Sequence, residues 1–147
     1  MQVREVMTPD PVACTPDDRV ETAAKIMMDR DCGAVPIVDT QDCRHLVGIV
    51  TDRDIVMRLI ARQRNPIGVP LRECMTTPVF TVRPDDSVEE VVRVMEEKQV
   101  RRVPVVDNGN VLVGIVAMAD LARLTGDEEM LSEVIEEVSE PVSAMAG

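Results

Sequence analysis

The sequence predicts an α/β fold, of the α+β kind, made of two β-α-β-β-α units and a C-terminal helix. Three observations lead there. The chain repeats itself, the repeat alternates helical and strand periodicity, and each copy ends in a glycine-led apolar run that closes on an Asp. Met7-Thr8 recurs at Met75-Thr76, a shift of 75 − 7 = 68, and Pro16-Asp17-Asp18 recurs at Pro84-Asp85-Asp86. Pro36-Ile37-Val38-Asp39 recurs at Pro104-Val105-Val106-Asp107. The runs Gly48 to Asp54 and Gly114 to Asp120 then match at 114 − 48 = 66, so two residues are lost in the turn between strands. An indel in a turn with its flanks in register is what two copies of one fold allow.

Taken in order, Met1 to Val6 is a lead-in, followed by a proline-stiffened turn at Met7 to Pro11. Val12 to Thr15 reads as a short strand. Asp18-Arg19-Val20-Glu21 has the form of an acidic capping box. Behind it Val20, Ala23, Ala24, Met27 and Met28 share one face of an amphipathic helix, which Gly33 is placed to end. Ala34–Val38 and Leu46–Val50 are β-branched runs separated by a polar turn, and Pro36 restricts the first to an edge or a strand beginning. Asp52 or Asp54 opens a second helix, with Ile55, Val56, Leu59 and Ile60 as its buried stripe.

Asn65 to Pro70 breaks that helix and links the copies. The second copy repeats the order, with Val88, Val91, Val92 and Met95 on its first helix and Asn108-Gly109 as its hairpin turn. The expected boundaries are 1–64 for the first repeat, 65–71 for the linker and 72–125 for the second repeat. An acidic amphipathic helix and tail follow at 126–147, its apolar side formed by Met130, Leu131, Val134, Ile135 and Val138.

With 147 residues, each half is marginal alone, at about 65 residues, and a shared core is expected. A formal net charge of −11 argues against nonspecific binding to nucleic acid or anionic membranes, which needs clustered cations. No leader or spanning segment is read at the start or in the longest apolar run, so a cytoplasmic location is expected. Cys14, Cys32, Cys43 and Cys74 do not make a disulfide framework. Cys43-Arg44-His45 and the pair Cys14 and Cys32 raise a metal or redox role, but their spacing does not match a zinc knuckle. No Ser-His-Asp set or phosphate-cradling glycine loop is present, so the chain reads as a binding protein and not an enzyme.

The motif x-V-P-I/V-V-D followed by G-h-h-T-x-x-D resembles the CBS (cystathionine-β-synthase) domain, here as a tandem pair over roughly residues 1 to 125. The chain is similar to stand-alone bacterial two-CBS proteins, including the hypoxic-response type. The resemblance implies two pseudo-twofold halves forming one CBS pair (a Bateman module) and a homodimer. It also implies adenine-nucleotide ligands: AMP, ADP or ATP, with S-adenosylmethionine or NADH as further candidates. By the resemblance, the Asp and Thr of one repeat act with the x-V-P segment of the other. One site combines Thr51, Arg53 and Asp54 with Arg83, Val100, Arg101, Arg102, Val103 and Pro104. The other combines Asp120 with Thr15, Cys32, Gly33, Ala34, Val35 and Pro36.

The chemistry of these residues suits that ligand. An Asp at a helix start accepts both hydroxyls of a ribose diol, and a Thr hydroxyl lies beside backbone N–H groups that favour phosphate. The second site has Ala117 where the pattern has Thr, and Gly33-Ala34 where the first has Arg101-Arg102. It should therefore bind a phosphorylated ligand on the order of a hundredfold more weakly. Each residue also has a plainer role available. Asp54 and Asp120 serve as helix caps, Thr51 as a strand end, Arg101 and Arg102 as ion-pair partners of Glu96 and Glu97, and Met27 and Met95 as core.

Three functions compete. The first is a nucleotide sensor signalling to a separate effector protein. The second is an assembly module with non-binding clefts, for which the lack of Tyr and Trp and the single Phe speak. The third is a thiol redox sensor.

Overall fold

The computed structural model of the chain describes residues 1–125, and the expected tail helix lies outside them. The described elements run β1 (Thr8–Pro9), α1 (Val20–Arg30), β2 (Ala34–Val38), β3 (Leu46–Thr51), α2 (Asp52–Arg58), α3 (Val88–Lys98), β4 (Arg102–Val106), β5 (Leu112–Ala117) and α4 (Met118–Thr125). Short 3-10 turns stand at Val3–Glu5, Ile60–Arg62 and Leu71–Glu73. No described helix is long and apolar enough to cross a membrane.

Two compact units form, and each borrows from the other half of the sequence. One unit holds Met1–Asp10, Phe80–Asn108 and the described residues from Val113; the other holds Pro11–Val79 with Gly109–Leu112. Each has its own core, where the sequence suggested a shared one. In the first unit Val3, Val6, Val82, Val91, Met95, Val103, Val105 and Val116 cluster with Leu121. In the second Cys14, Val20, Ala23, Met27, Ile37, Val50, Leu59, Leu71 and Cys74 cluster. The borrowed segments supply apolar side chains that a 65-residue repeat lacks, each contributing about 1.5–3 kcal/mol when fully buried.

The borrowing is done by the recurrent Met-Thr pair. β1 pairs antiparallel with β5, Thr8 opposite Ile115 and Pro9 opposite Gly114, and the three-stranded sheet runs β1–β5–β4. In the other unit β2 and β3 pair antiparallel, and Thr76 bridges Ile49 in the same sense. The Thr76 N–H donates to the Ile49 carbonyl at 2.7 Å and the Ile49 N–H to Thr76 at 3.1 Å.

The glycine beside each pair makes room for the methionine. A Cβ on Gly48 would lie 2.9 Å from Met75 Sδ and 3.2 Å from the Thr76 carbonyl oxygen. On Gly114 it would lie 2.5 Å from Met7 Sδ and 3.1 Å from the Thr8 carbonyl oxygen.

Several local expectations are corrected. Residue 19, not Asp18, is the N-cap of α1, and the capping box is absent because both acids are used elsewhere. Asp18 Oδ2 accepts from the Thr15 N–H at 2.8 Å, as Asp86 Oδ2 does from the Arg83 N–H at 2.8 Å. Glu21 instead holds the linker through the Gly68 N–H, at 2.9 and 3.1 Å. That bond lowers its carboxyl pKa. The helix ends at Asp31 in the left-handed conformation (φ 50°), not at Gly33, and Gln99 (φ 57°) does the same for α3.

Of the predicted α1 face, Val20, Ala23 and Met27 are buried, while Ala24 and Met28 are exposed. α2 stops at Arg58; of its predicted stripe Leu59 is buried, Val56 lies on the exposed side of the helix, and Ile60, beyond its end, is exposed. The α3 stripe is buried as expected, with Val94 added. The hairpin turn takes its left-handed residue at Asn110 (φ 62°), and Arg44 (φ 59°) does so in the first copy. Val12–Thr15 makes one bridge, Cys14 to Ile37, in place of a strand. In that bridge the Cys14 N–H donates to the Pro36 carbonyl at 3.0 Å, using the polar group that a proline retains.

Two measurements test this packing. Gly114→Ala should cost about 1–3 kcal/mol in urea unfolding, more than Gly48→Ala, because its Cβ meets sulfur more closely and a backbone carbonyl stands behind it. The thiols should also separate. Cys14 and Cys74 are buried and Cys43 exposed, so native labelling at pH 8 should take Cys43 and spare the other two. Burial first, then the Asp18 charge, pushes the Cys14 thiol from 9.0 up to about 11. Between those values the unfolded chain ionises this thiol while the folded one holds its proton, so stability should fall as pH rises from about 9 toward 11. Cys14→Ala should flatten that decline, read as the urea midpoint against pH.

Candidate functional site

The site is built from the end of β3. Thr51 closes the strand with extended backbone (φ −118°, ψ 161°) and N-caps α2. Its hydroxyl accepts from the Asp54 N–H at 3.0 Å, and its own N–H donates to Asp54 Oδ2 at 3.0 Å. This is the capping box, moved from the helix where the sequence suggested it to the one carrying the candidate Asp. It contributes about 1 kcal/mol in the usual case.

Asp54 is the one buried charged residue among those described. A buried carboxylate needs donors, and two more groups supply them. The Thr76 hydroxyl spans both oxygens, 3.0 Å from Oδ1 and 3.2 Å from Oδ2. Arg58 Nε lies 3.7 Å from Oδ1, and its Nη1 donates to the Met75 carbonyl at 3.0 Å. Asp54 is thus the acid of a capping box in this structure, and an internal hydroxyl faces both of its oxygens.

Within the same unit, the segment 32–36 lies alongside. Ala34 stands opposite Thr51, Val35 opposite Val50 and Pro36 opposite Ile49. The Asp52 N–H donates to the Gly33 carbonyl at 3.0 Å, and a Cβ on Gly33 would lie 3.1 Å from Asp52 Oδ2. Cys32 Sγ donates to the Ala34 carbonyl at 3.6 Å. Ala34, Val35 and Pro36 are buried, Thr15 half-buried and Arg53 exposed.

The second copy sets the same backbone around Asp120. Its Oδ2 accepts from the Ala117 N–H at 3.1 Å and its Oδ1 from Arg123 Nη2 at 2.9 Å. The Met118 N–H donates to the Arg101 carbonyl at 2.9 Å, as Asp52 does to Gly33. Arg102, Val103 and Pro104 lie on β4, the last two buried, and Val100 is half-buried with its N–H on the Met95 carbonyl at 3.2 Å. Arg83 sends its guanidinium to the Asn108 side chain. Glu97, offered as a partner for Arg101 or Arg102, pairs with Arg93 at 2.9 Å.

Within each unit, then, the structure brings Thr51 and Asp54 beside Cys32 to Pro36, and Asp120 beside Arg101 to Pro104. The cross-repeat sets implied by the resemblance draw their members from both units. The residues that sequence reasoning missed are Thr76 and Arg58. The recurrence of Met-Thr was the available signal for Thr76, and i,i+4 spacing from Asp54 was the signal for Arg58. Among the described residues no three His, Cys, Asp or Glu side chains are grouped to hold a metal ion.

The family model for the CBS domain matches residues 3–61 and 71–127. The chain is 40% identical to the uncharacterized protein YlbB of Bacillus subtilis over 139 residues, covering 95% of this chain and 92% of that one. It is 38% identical to hypoxic response protein 1 of Mycobacterium tuberculosis over 120 residues, 82% of each. The crystal structure of Hypoxic Response Protein I with two coordinated zinc ions matches at TM-score 0.75 and 37% identity, over 84% of this chain and 98% of that one.

The CBS domain pair of protein MJ0100, in complex with 5′-methylthioadenosine and S-adenosyl-L-methionine, matches at TM-score 0.74 and 30% identity over 85% and 99%. CBSX2 in complex with AMP matches at TM-score 0.71 and 26% identity over 87% and 98%. With two copies of the domain spanning nearly all of its described length, the chain belongs to the CBS domain family.

Proposed function

We propose that this CBS pair is a regulatory sensor that binds an adenosyl ligand and signals to a separate protein. The observation that carries the reading is Asp54. It is a buried carboxylate at the first turn of α2, held in place by Thr51, in a fold whose neighbours were solved with AMP, S-adenosylmethionine and methylthioadenosine. Its two oxygens suit a ribose diol, which offers two hydroxyl donors. AMP, ADP and ATP are the first candidates. The resemblance adds Arg53, Arg83, Arg101 and Arg102 as cations for a phosphate, with Val100, Val103 and Pro104 as apolar contacts. It assigns Asp120, with Thr15 and Cys32 to Pro36, to a weaker second set. The ligand acts as an effector and not a substrate, since no nucleophile paired with a base accompanies these residues.

A homodimer suits the exposed Val56, Met57 and Ile60 along α2 and the turn after it, which a second copy would cover. A second reading, an assembly module without a ligand, is favoured by the internal occupation of Asp54 by Thr76. It predicts a dimer indifferent to nucleotides and a partner captured through residues 127–147.

A ligand at 100 times its Kd adds about 2.7 kcal/mol, a melting rise of roughly 5–10 °C for a chain of this size. Screening AMP, ADP, ATP, S-adenosylmethionine, methylthioadenosine and NADH at millimolar concentration should show that rise for at least one. Asp54→Ala and Arg102→Ala should each weaken it by about tenfold or more in affinity. A flat response to all six rejects the sensor in favour of the assembly module.

A further inference from the structure

We infer that Thr76 competes with the ligand for Asp54, so that occupancy is felt by the Met75–Thr76 segment. The inference rests on the adenosyl reading above and adds a residue and a direction to it. The Thr76 hydroxyl lies nearly equidistant from the two carboxylate oxygens, at 3.0 and 3.2 Å, with Oδ2 also accepting from the Thr51 N–H. This is the edge a vicinal diol would use, because a bidentate donor pair must face both oxygens. Thr76 therefore stands in for the ligand's hydroxyls while the site is empty of them.

The same segment is tied down at three further points. Thr76 exchanges both backbone hydrogen bonds with Ile49, and Arg58 holds the Met75 carbonyl at 3.0 Å while lying 3.7 Å from Asp54. A diol taking Asp54 displaces the Thr76 hydroxyl, and Arg58 then links the carboxylate to Met75 alone. Binding thus loosens one tie on a segment that closes the β3 edge. A hydroxyl with a merely structural role would help ligand binding by steadying the carboxylate, and its removal would weaken affinity. A competitor has the opposite sign.

Calorimetric titration of the wild type, Thr76→Val and Thr76→Ser separates these. The probe is whichever of the six compounds screened above binds the wild type, together with its 2′-deoxy counterpart. Thr76→Val keeps the shape and removes the donor. It should bind the ribose form about three- to tenfold more tightly, consistent with one lost competing hydrogen bond, while its melting temperature without ligand falls. Thr76→Ser should stay near wild type, and the gain should shrink for the 2′-deoxy compound. Unchanged or weaker binding by Thr76→Val overturns the competition while leaving the sensor standing, as does an equal gain for both compounds. A wild type that binds none of the six rejects this inference together with the adenosyl reading on which it rests.

Discussion

A strand edge with no side chain at its midpoint organises both units. β3 and β5 each present a glycine, Gly48 or Gly114, to a Met-Thr pair that comes from the opposite half of the sequence. Bare strand edges carry unpaired N–H and C=O groups and invite pairing with foreign chains. Here the chain covers each edge with its own short segment, and the missing Cβ lets the methionine lie flat against the strand. The consequence is topological. A segment captured in this way brings its neighbours with it, so Val3 and Val6 enter the core of the second-copy unit while Leu71 and Cys74 enter that of the first. Each unit gains apolar surface to bury without any lengthening of the repeat.

The capture also sets the chemistry of the first copy. Pairing Thr76 with Ile49 fixes the backbone, and the residue's hydroxyl then falls across the carboxylate of Asp54. A carboxylate so far removed from water requires such donors, and the Thr51 N–H and Arg58 provide the remainder. In the second copy the N-cap backbone bond to Asp120 is kept, while Arg123, mostly exposed, takes the other oxygen. Asp54 is therefore held by a half-buried hydroxyl in addition to Arg58, and Asp120 by the solvated Arg123. The hydroxyl's bond gains more from its surroundings, since low dielectric strengthens it and salt screens it less.

The repeat, the family and the type of every long element among the described residues were legible in the sequence, because each rests on a pattern that two copies state independently. The errors fall where one side chain has two uses. Asp18 and Glu21 satisfy the capping-box pattern, yet a turn N–H and the linker's Gly68 N–H claim them first. Ile60 continues a helical stripe that stops at Arg58, so periodicity overruns the element there, while Val56 lies on the exposed side of the helix itself. Gly33 and Gly109 suggested left-handed backbone, which Asp31 and Asn110 adopt instead. Of the candidate site, the capping role of Asp54 and Asp120 could be read in advance. The Met-Thr recurrence singled out Thr76, but not its contact with Asp54, which spans 22 residues and which no local pattern encodes.

What the two copies share and where they part separates the demands of the backbone from those of the side chains. Both keep the Asp that accepts from a turn N–H, the left-handed residue after the first helix, the edge glycine and the Asp that closes the last strand-to-helix turn. Each of these has a backbone partner within its own unit, so the fold alone accounts for its recurrence. Gly33-Ala34 and Arg101-Arg102 behave differently. The Gly33 and Arg101 carbonyls accept equivalent hydrogen bonds at 3.0 and 2.9 Å, from Asp52 and Met118. The backbone task is therefore the same whether the side chain is absent or a guanidinium. The side-chain demands do differ: a Cβ on Gly33 would lie 3.1 Å from Asp52 Oδ2, and Ala34 is buried where Arg102 is only half-buried, so the first copy's own packing keeps these two positions small.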